Sequence, residues 1–240
     1  MDTIKIDRKN VKMVAHRGVS GIEPQNTLFS FIAAGNRSYY GIETDIHITT
    51  DGRYVCIHDF NFKNVAGRED LEIEKMTYDE ARAVPLYDAT GKVNQILHIP
   101  SMEEYIETCK RYGKVAVLEL KSTFTKEQIA EILEIVAKHE YLDKVIFISF
   151  IYQNLVYIKE LKPDQDVQFL TDKVTDNLLD MLQKYGMNLD IHYKAMMNKA
   201  AIKPFKKAGI EVNVWTVDNP EDAKMLIKNG VDYITSNILE

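Results

Sequence analysis

Seven residues in the first half of the chain could together handle a charged substrate: His16 with Arg17, Glu43 with Asp45, His58, and Glu119 with Lys121. Each falls at or near the end of a short apolar run. Side chains alternate along a strand, so Glu43 and Asp45 share a face, as do Glu119 and Lys121, and the four charges are predicted to point the same way. The turn Thr50-Asp51-Gly52-Arg53 separates the run of Asp45 from residues 54–58, and Asp-Gly there is a hairpin signal. A two-residue turn centred on Asp51-Gly52 predicts Asp45 directly opposite His58, with Cβ atoms about 4.5–5.5 Å apart. Glu119 interrupts Val115-Ala116-Val117-Leu118, and an unpaired buried carboxylate costs several kcal/mol, so it requires a cation. Three carboxylates are hard oxygen ligands suited to Mg²⁺ or Ca²⁺.

With one such ion bound, Arg17 and Lys121 make the site net positive, and it accepts a phosphate diester. The two histidines then match the remaining need, one proton taken from a nucleophile and one given to a leaving alkoxide. Each group read alone has an ordinary alternative: a structural histidine, an Arg17–Asp45 pair, a Lys121–Glu119 pair. Their conjunction at strand ends, reached by separate periodicity arguments, is what points to chemistry. Elsewhere, Phe60, Phe62 and the single Trp215 read as an apolar wall for a glycerol-sized backbone, and Thr27 as support for the first turn of its helix. His47 reads as a solvated hairpin position, and His98, His139 and His192 as structural.

The elements that must position these groups alternate. Apolar runs at 11–15, 41–46, 114–121, 145–150, 166–170, 188–192, 210–215 and 231–235 predict eight strands. Stretches at 26–35, 101–112, 125–139, 152–161, 175–185, 196–208 and 220–229 carry apolar residues at helical spacing. Gly35, Gly113, Gly186, Gly209 and Gly230 sit where left-handed C-caps are wanted, and Pro220 fits a first helical position. With 54–58 as a returning antiparallel arm, the pattern predicts an α/β (β/α)8 TIM-type barrel, whose sites gather at the C-terminal strand ends. Residues of about 61–99 show no clean period and are predicted to be a small insertion over one rim, within a single domain spanning 1–240. A net charge of -6 excludes a nucleic-acid surface. Cys56 and Cys109 read as reduced thiols outside any disulfide framework. The start MDTIKIDRKN has no apolar signal core and no stretch approaches the roughly 20 apolar residues of a membrane span, predicting a cytoplasmic protein without stable membrane insertion. Oligomeric state is open at this level.

On these residues the chain resembles the glycerophosphodiester phosphodiesterase family. The matching stretches are His16-Arg17-Gly18, Pro24-Gln25-Asn26-Thr27, Glu43-Thr44-Asp45-Ile46, Thr50-Asp51-Gly52, His58-Asp59, Ile99-Pro100-Ser101-Met102-Glu103-Glu104, Leu118-Glu119-Leu120-Lys121, Val214-Trp215-Thr216-Val217 and Gly230-Val231-Asp232. The resemblance implies His16 and His58 as general acid and base, Glu43, Asp45 and Glu119 as ligands of a divalent cation, and Arg17 and Lys121 on the phosphate. The implied substrate is a small glycerophosphodiester, cleaved to an alcohol and sn-glycerol 3-phosphate through a cyclic phosphate. Gln25 departs from the family's usual Glu. Two alternatives share the fold: a lysophospholipase D-like phosphodiesterase, and a non-catalytic phosphate-binding relative.

Overall fold

The computed structural model describes residues 2–240. Eight parallel strands form a closed barrel: β1 (Lys12–Ala15), β2 (Gly41–Ile48), β3 (Val115–Leu120), β4 (Val145–Ser149), β5 (Val167–Thr171), β6 (Asn188–His192), β7 (Val212–Trp215) and β8 (Tyr233–Ser236). Each pairs with the next, and β1 pairs with both β2 and β8, which closes the ring. Valine and isoleucine dominate these strands because each packs on two sides, outward against helices and inward against the opposite wall. The helix Lys126–Lys138 illustrates the outer layer: Ile129, Ile132, Leu133 and Val136 are buried at helical spacing. Its start is set by a reciprocal capping box between Thr125 and Gln128.

Inside the barrel, Val14, Val117, Ile146, Ile148, Leu170 and Tyr233 form an apolar plug. Above and beside it the wall divides. Strands β1 to β3 carry the ionic side chains, whereas β5 to β8 carry the uncharged chain Gln168–Asn213–Thr235, in which Asn213 donates to Gln168 (3.0 Å) and Thr235 donates to Asn213 (3.2 Å).

Three local expectations are corrected. The hairpin register pairs Ile46 with Cys56, His47 with Val55 and Ile48 with Tyr54. The connection is therefore three residues, 50–52, with Gly52 left-handed (φ 78°) as its third member, and Asp45 lies opposite Ile57, whose N–H it accepts at 3.1 Å. His58 falls one residue past the predicted pairing. Gly35 is not a left-handed cap: it ends its helix before Asn36, and a Cβ there would meet the Tyr112 ring at 2.5 Å, so it serves a close helix–helix contact. The helix predicted at 175–185 begins at Leu178, and the one at 196–208 is Lys199–Lys207, behind a 3₁₀ turn at Tyr193–Met196.

The segment 61–99 contains elements too short to show a period: the paired strands Asn61–Phe62 and Arg68–Glu72, the strands Leu86–Tyr87 and Val93–Asn94, and the helix Tyr78–Arg82. Phe62, Ile73, Ala81, Val84, Leu86, Leu97 and Ile99 bury a small core against Val55 and Ile57 of the hairpin. Phe62 is thus a packing residue of this small core and does not line the cavity as an apolar wall.

Candidate active site

At the C-terminal end of β1 the chain turns sharply, with Arg17 (φ 53°) and Gly18 (φ 72°) both left-handed. Gly18 has no alternative, since a Cβ there would meet Ser30 Oγ at 2.3 Å. The turn aims the Arg17 backbone N–H at Glu43 Oε2 (2.7 Å) and places its guanidinium Nε 3.6 Å from Asp45 Oδ2. Arg17 also donates to Gln25 Oε1 at 2.6 Å, so Gln25 serves as a neutral acceptor for this cation. Asp45 and Glu119 are register partners on β2 and β3. Lys121 lies 3.1 Å from Glu119 and 3.7 Å from Asp45, and Asn26, held by Thr44, donates to Asp45 Oδ2 at 2.9 Å.

Glu43, Asp45 and Glu119 are all buried, and each offers an oxygen within 4.8 Å of the other two. Burial first, then repulsion from Asp45 and Glu119, pushes the Glu43 carboxyl well above its usual range. The same two causes, burial and Asp45, raise Glu119 to about 8 against the pull of Lys121. Burial also works against Asp45, but Arg17, His58, Lys121 and the Asn26 hydrogen bond together hold it well below the usual value. Three carboxylates that cannot all ionise alone are a donor set in want of a divalent cation, and their hard oxygens suit Mg²⁺ or Ca²⁺.

Both histidines have a fixed tautomer. Asn237 donates through Nδ2 to Asp218 (2.6 Å), which turns its Oδ1 toward His16. His16 Nδ1–H therefore donates to that oxygen (2.7 Å), leaving Nε2 as the free lone pair. His58 Nδ1–H donates to Asp59 Oδ1 (2.7 Å), and Asp59 accepts from Asn64 on its other oxygen (2.6 Å). Burial, then the charge of Arg17, depresses His16 to about 4. Burial also lowers His58, against opposing pulls from Asp45 and from the Asp59 hydrogen bond.

His47 is fully buried, correcting its reading as solvated. Its Nε2–H donates to the His58 carbonyl (3.2 Å), Glu74 approaches its Nδ1 (3.3 Å), and Phe60 packs edge-on against its ring. Ser122 donates to the same Glu74 carboxylate. Segment 61–99 thus reaches the site through Glu74.

The structure brings His16, Arg17, Glu43, His58, Glu119, Lys121 and Trp215 to one cavity of about 60 Å³, with Asp45 behind it. Its apolar side is Trp215 with Phe150, ring centroids 5.6 Å apart. Phe60 packs edge-on against His47 instead. Asn237, Asp218 and Asp190 were not anticipated; of these only Asp190 left a signal, as a charge inside the run Asn188-Leu189-Asp190-Ile191.

A closed (β/α)8 barrel with a buried carboxylate triad, two cations and two tautomer-fixed histidines at its C-terminal rim has the architecture of a barrel hydrolase. The chain matches the glycerophosphoryl diester phosphodiesterase family over residues 16–239; it belongs to that family and is, with it, a phosphoric diester hydrolase. A glycerophosphodiester phosphodiesterase of Bacillus subtilis is 29% identical, covering 93% of this chain and 82% of that protein. One from Caldanaerobacter subterraneus is 26% identical, covering 94% and 93%. Among solved structures, an Oleispira antarctica phosphodiesterase in complex with the product sn-glycerol-3-phosphate superposes with a TM-score of 0.87 at 28% identity, covering 95% of this chain and 93% of that one.

Proposed function

We propose that this chain, one barrel domain over 1–240 with 61–99 as its rim insertion, hydrolyses glycerophosphodiesters to an alcohol and sn-glycerol 3-phosphate in a divalent-cation-dependent reaction. The observation that carries this reading is the convergence of Glu43, Asp45 and Glu119 beside both histidines and both cations, in a chain of this family. The similar structure that holds sn-glycerol-3-phosphate supports the product.

Glu43, Asp45 and Glu119 would hold the ion, which supplies Lewis-acid neutralisation of the phosphoryl oxygens. Arg17 and Lys121 bind those oxygens and orient the phosphorus, while Trp215 and Phe150 cover the carbon backbone and exclude water. The glycerol hydroxyl beside the phosphoester attacks phosphorus, an intramolecular step that needs little further loss of translational freedom. Nε2 of one histidine takes that hydroxyl's proton and Nε2 of the other protonates the departing alcohol, giving a five-membered cyclic phosphate. Their roles reverse when water opens the ring. His16 enters neutral and suits the base; His58, with the Asp59 carboxylate on Nδ1, is better placed to hold the proton.

The test is release of glycerol 3-phosphate from glycerophosphocholine, read by a coupled dehydrogenase with and without chelator. Turnover should vanish on chelation and return with added Mg²⁺ or Ca²⁺; undiminished release in excess chelator removes the cation from the reading. A substrate lacking the hydroxyl adjacent to the phosphoester should bind but turn over far more slowly, and equal turnover would mean direct attack by water.

A further inference from the structure

The uncharged half of the pocket contains two buried polar atoms with nothing to bond. Asp190 on β6 is 2% exposed, and its Oδ1 has no hydrogen-bond partner among the described residues. The indole Nε1 of Trp215 is likewise buried and unpartnered. Asp190 is the register partner of Asn213 on β7, so Trp215, two residues further along, shares its inward face. Both line the cavity. Their neighbours Gln168, Asn213 and Thr235 satisfy one another and leave Asp190 out. Arg17 and Lys121 are engaged across the pocket with Asp45 and Glu119.

An unpaired buried acid persists at a cost in stability, so its retention at the cavity wall argues for a ligand. Burial alone drives the Asp190 carboxyl well above its usual range, which favours the protonated form, able both to donate and to accept. The indole only donates. A hydroxyl complements this pair, accepting from Trp215 and exchanging hydrogen bonds with Asp190; an ammonium group would meet the indole N–H head-on. At about 60 Å³ the cavity has room for a few water-sized groups, which suits a short polyol.

We propose that Asp190, together with Trp215 Nε1, is a specificity-determining element that receives the terminal hydroxyl of the substrate's glycerol moiety, the one not adjacent to the phosphoester, and so selects diesters whose glycerol is unacylated. This rests on the glycerophosphodiesterase reading above and adds its substrate discrimination.

The experiment compares sn-glycero-3-phosphocholine with the propane-1,2-diol analogue, which lacks the terminal hydroxyl but keeps the one beside the phosphoester. Wild type should favour the glycerol diester by about tenfold or more in kcat/KM, because a site built to bind a hydroxyl rejects the analogue without it. Asp190→Leu should raise KM for the glycerol diester, leave kcat within about twofold and erase the preference; Asp190→Asn, whose amide still donates and accepts, should keep part of it. The melting temperature of Asp190→Leu should stay at or above that of wild type. A preference unchanged in Asp190→Leu, no preference in wild type, or wild-type turnover of lysophosphatidylcholine as fast as glycerophosphocholine would overturn the proposal. If wild type cleaves neither diester, the functional reading fails on its own. Calorimetry with glycerol 3-phosphate against propane-1,2-diol phosphate then decides the Asp190 contact: weaker binding of the second supports it, and equal binding overturns it.

Discussion

The seven ionic residues at the rim impose opposite demands on the fold, and these can be read separately. His16, held near 4 against an ordinary 6.5, takes up its proton later than the unfolded chain does. Between those pH values the unfolded state binds more protons, so stability falls as pH drops through that window. Glu119, raised to about 8 from 4.5, acts the other way: between those values the folded state binds more protons, so stability is lost as pH rises from 4.5 toward 8. Thermal melts of chelated protein at pH 7 and pH 5 should therefore show a smaller acid-side loss, or a gain, in His16→Gln relative to wild type. In catalysis, His16→Ala and His58→Ala should each cost about 10²–10⁴-fold in kcat, and the double variant far less than the product, as expected of groups acting as a unit. His98→Ala and His192→Ala serve as controls in the same assay. Glu119→Gln should weaken Mg²⁺ binding by calorimetry while leaving the fold intact, because it replaces a buried carboxyl whose ionisation is costly with a neutral group of the same shape. Much of this was legible in the sequence: Glu119 announced itself by interrupting an apolar strand. Asp190 interrupts β6 in the same way but has no charged neighbour in sequence to draw attention to it. Asn237 and Asp218 lie in loops some 200 residues from His16, where periodicity carries no information.

At the scale of elements, the eight strands and most helix limits follow from period and capping residues, and the errors have identifiable causes. Asp51-Gly52 marks a turn, but whether the loop holds two or three residues depends on Gly52 taking the left-handed third position, which the dipeptide alone does not reveal. That one-residue slip moved His58 past Asp45, and the site absorbs it by bending the arm after Cys56, where His47 holds the His58 carbonyl. His47 reads as solvated because its cover comes from Phe60, past the end of the hairpin, and from Glu74 within 61–99, whose strands of two to five residues are too short to leave a pattern. His47→Ala should accordingly lower kcat by about 10–100-fold through a misplaced His58, with Mg²⁺ affinity unchanged by calorimetry, since a displacement of about 1 Å at a reacting group has an effect of that order. Loss of metal affinity together with kcat would instead place His47 in support of β2 as a whole.

For the molecule as a whole, the barrel's closure is what brings residues from both ends of the chain to one cavity, His16 with Asn237 and Glu43 with Asp190. Among the described residues no helix is long and apolar enough to cross a membrane. The division of the wall, ionic on β1 to β3 and uncharged on β5 to β8, has a stereochemical consequence. A glycerol diester held by its phosphate on one wall and its terminal hydroxyl on the other presents the hydroxyl of its central carbon to only one side. The mirror-image molecule, gripped at the same two ends, turns that hydroxyl away from the histidine proposed to deprotonate it. A racemic glycerophosphocholine should therefore be consumed quickly to about half and then slowly, with the residual material optically active, because reaction needs a near-attack geometry that only one antipode can reach. The two-sided wall would make this barrel a chiral filter as well as a catalyst.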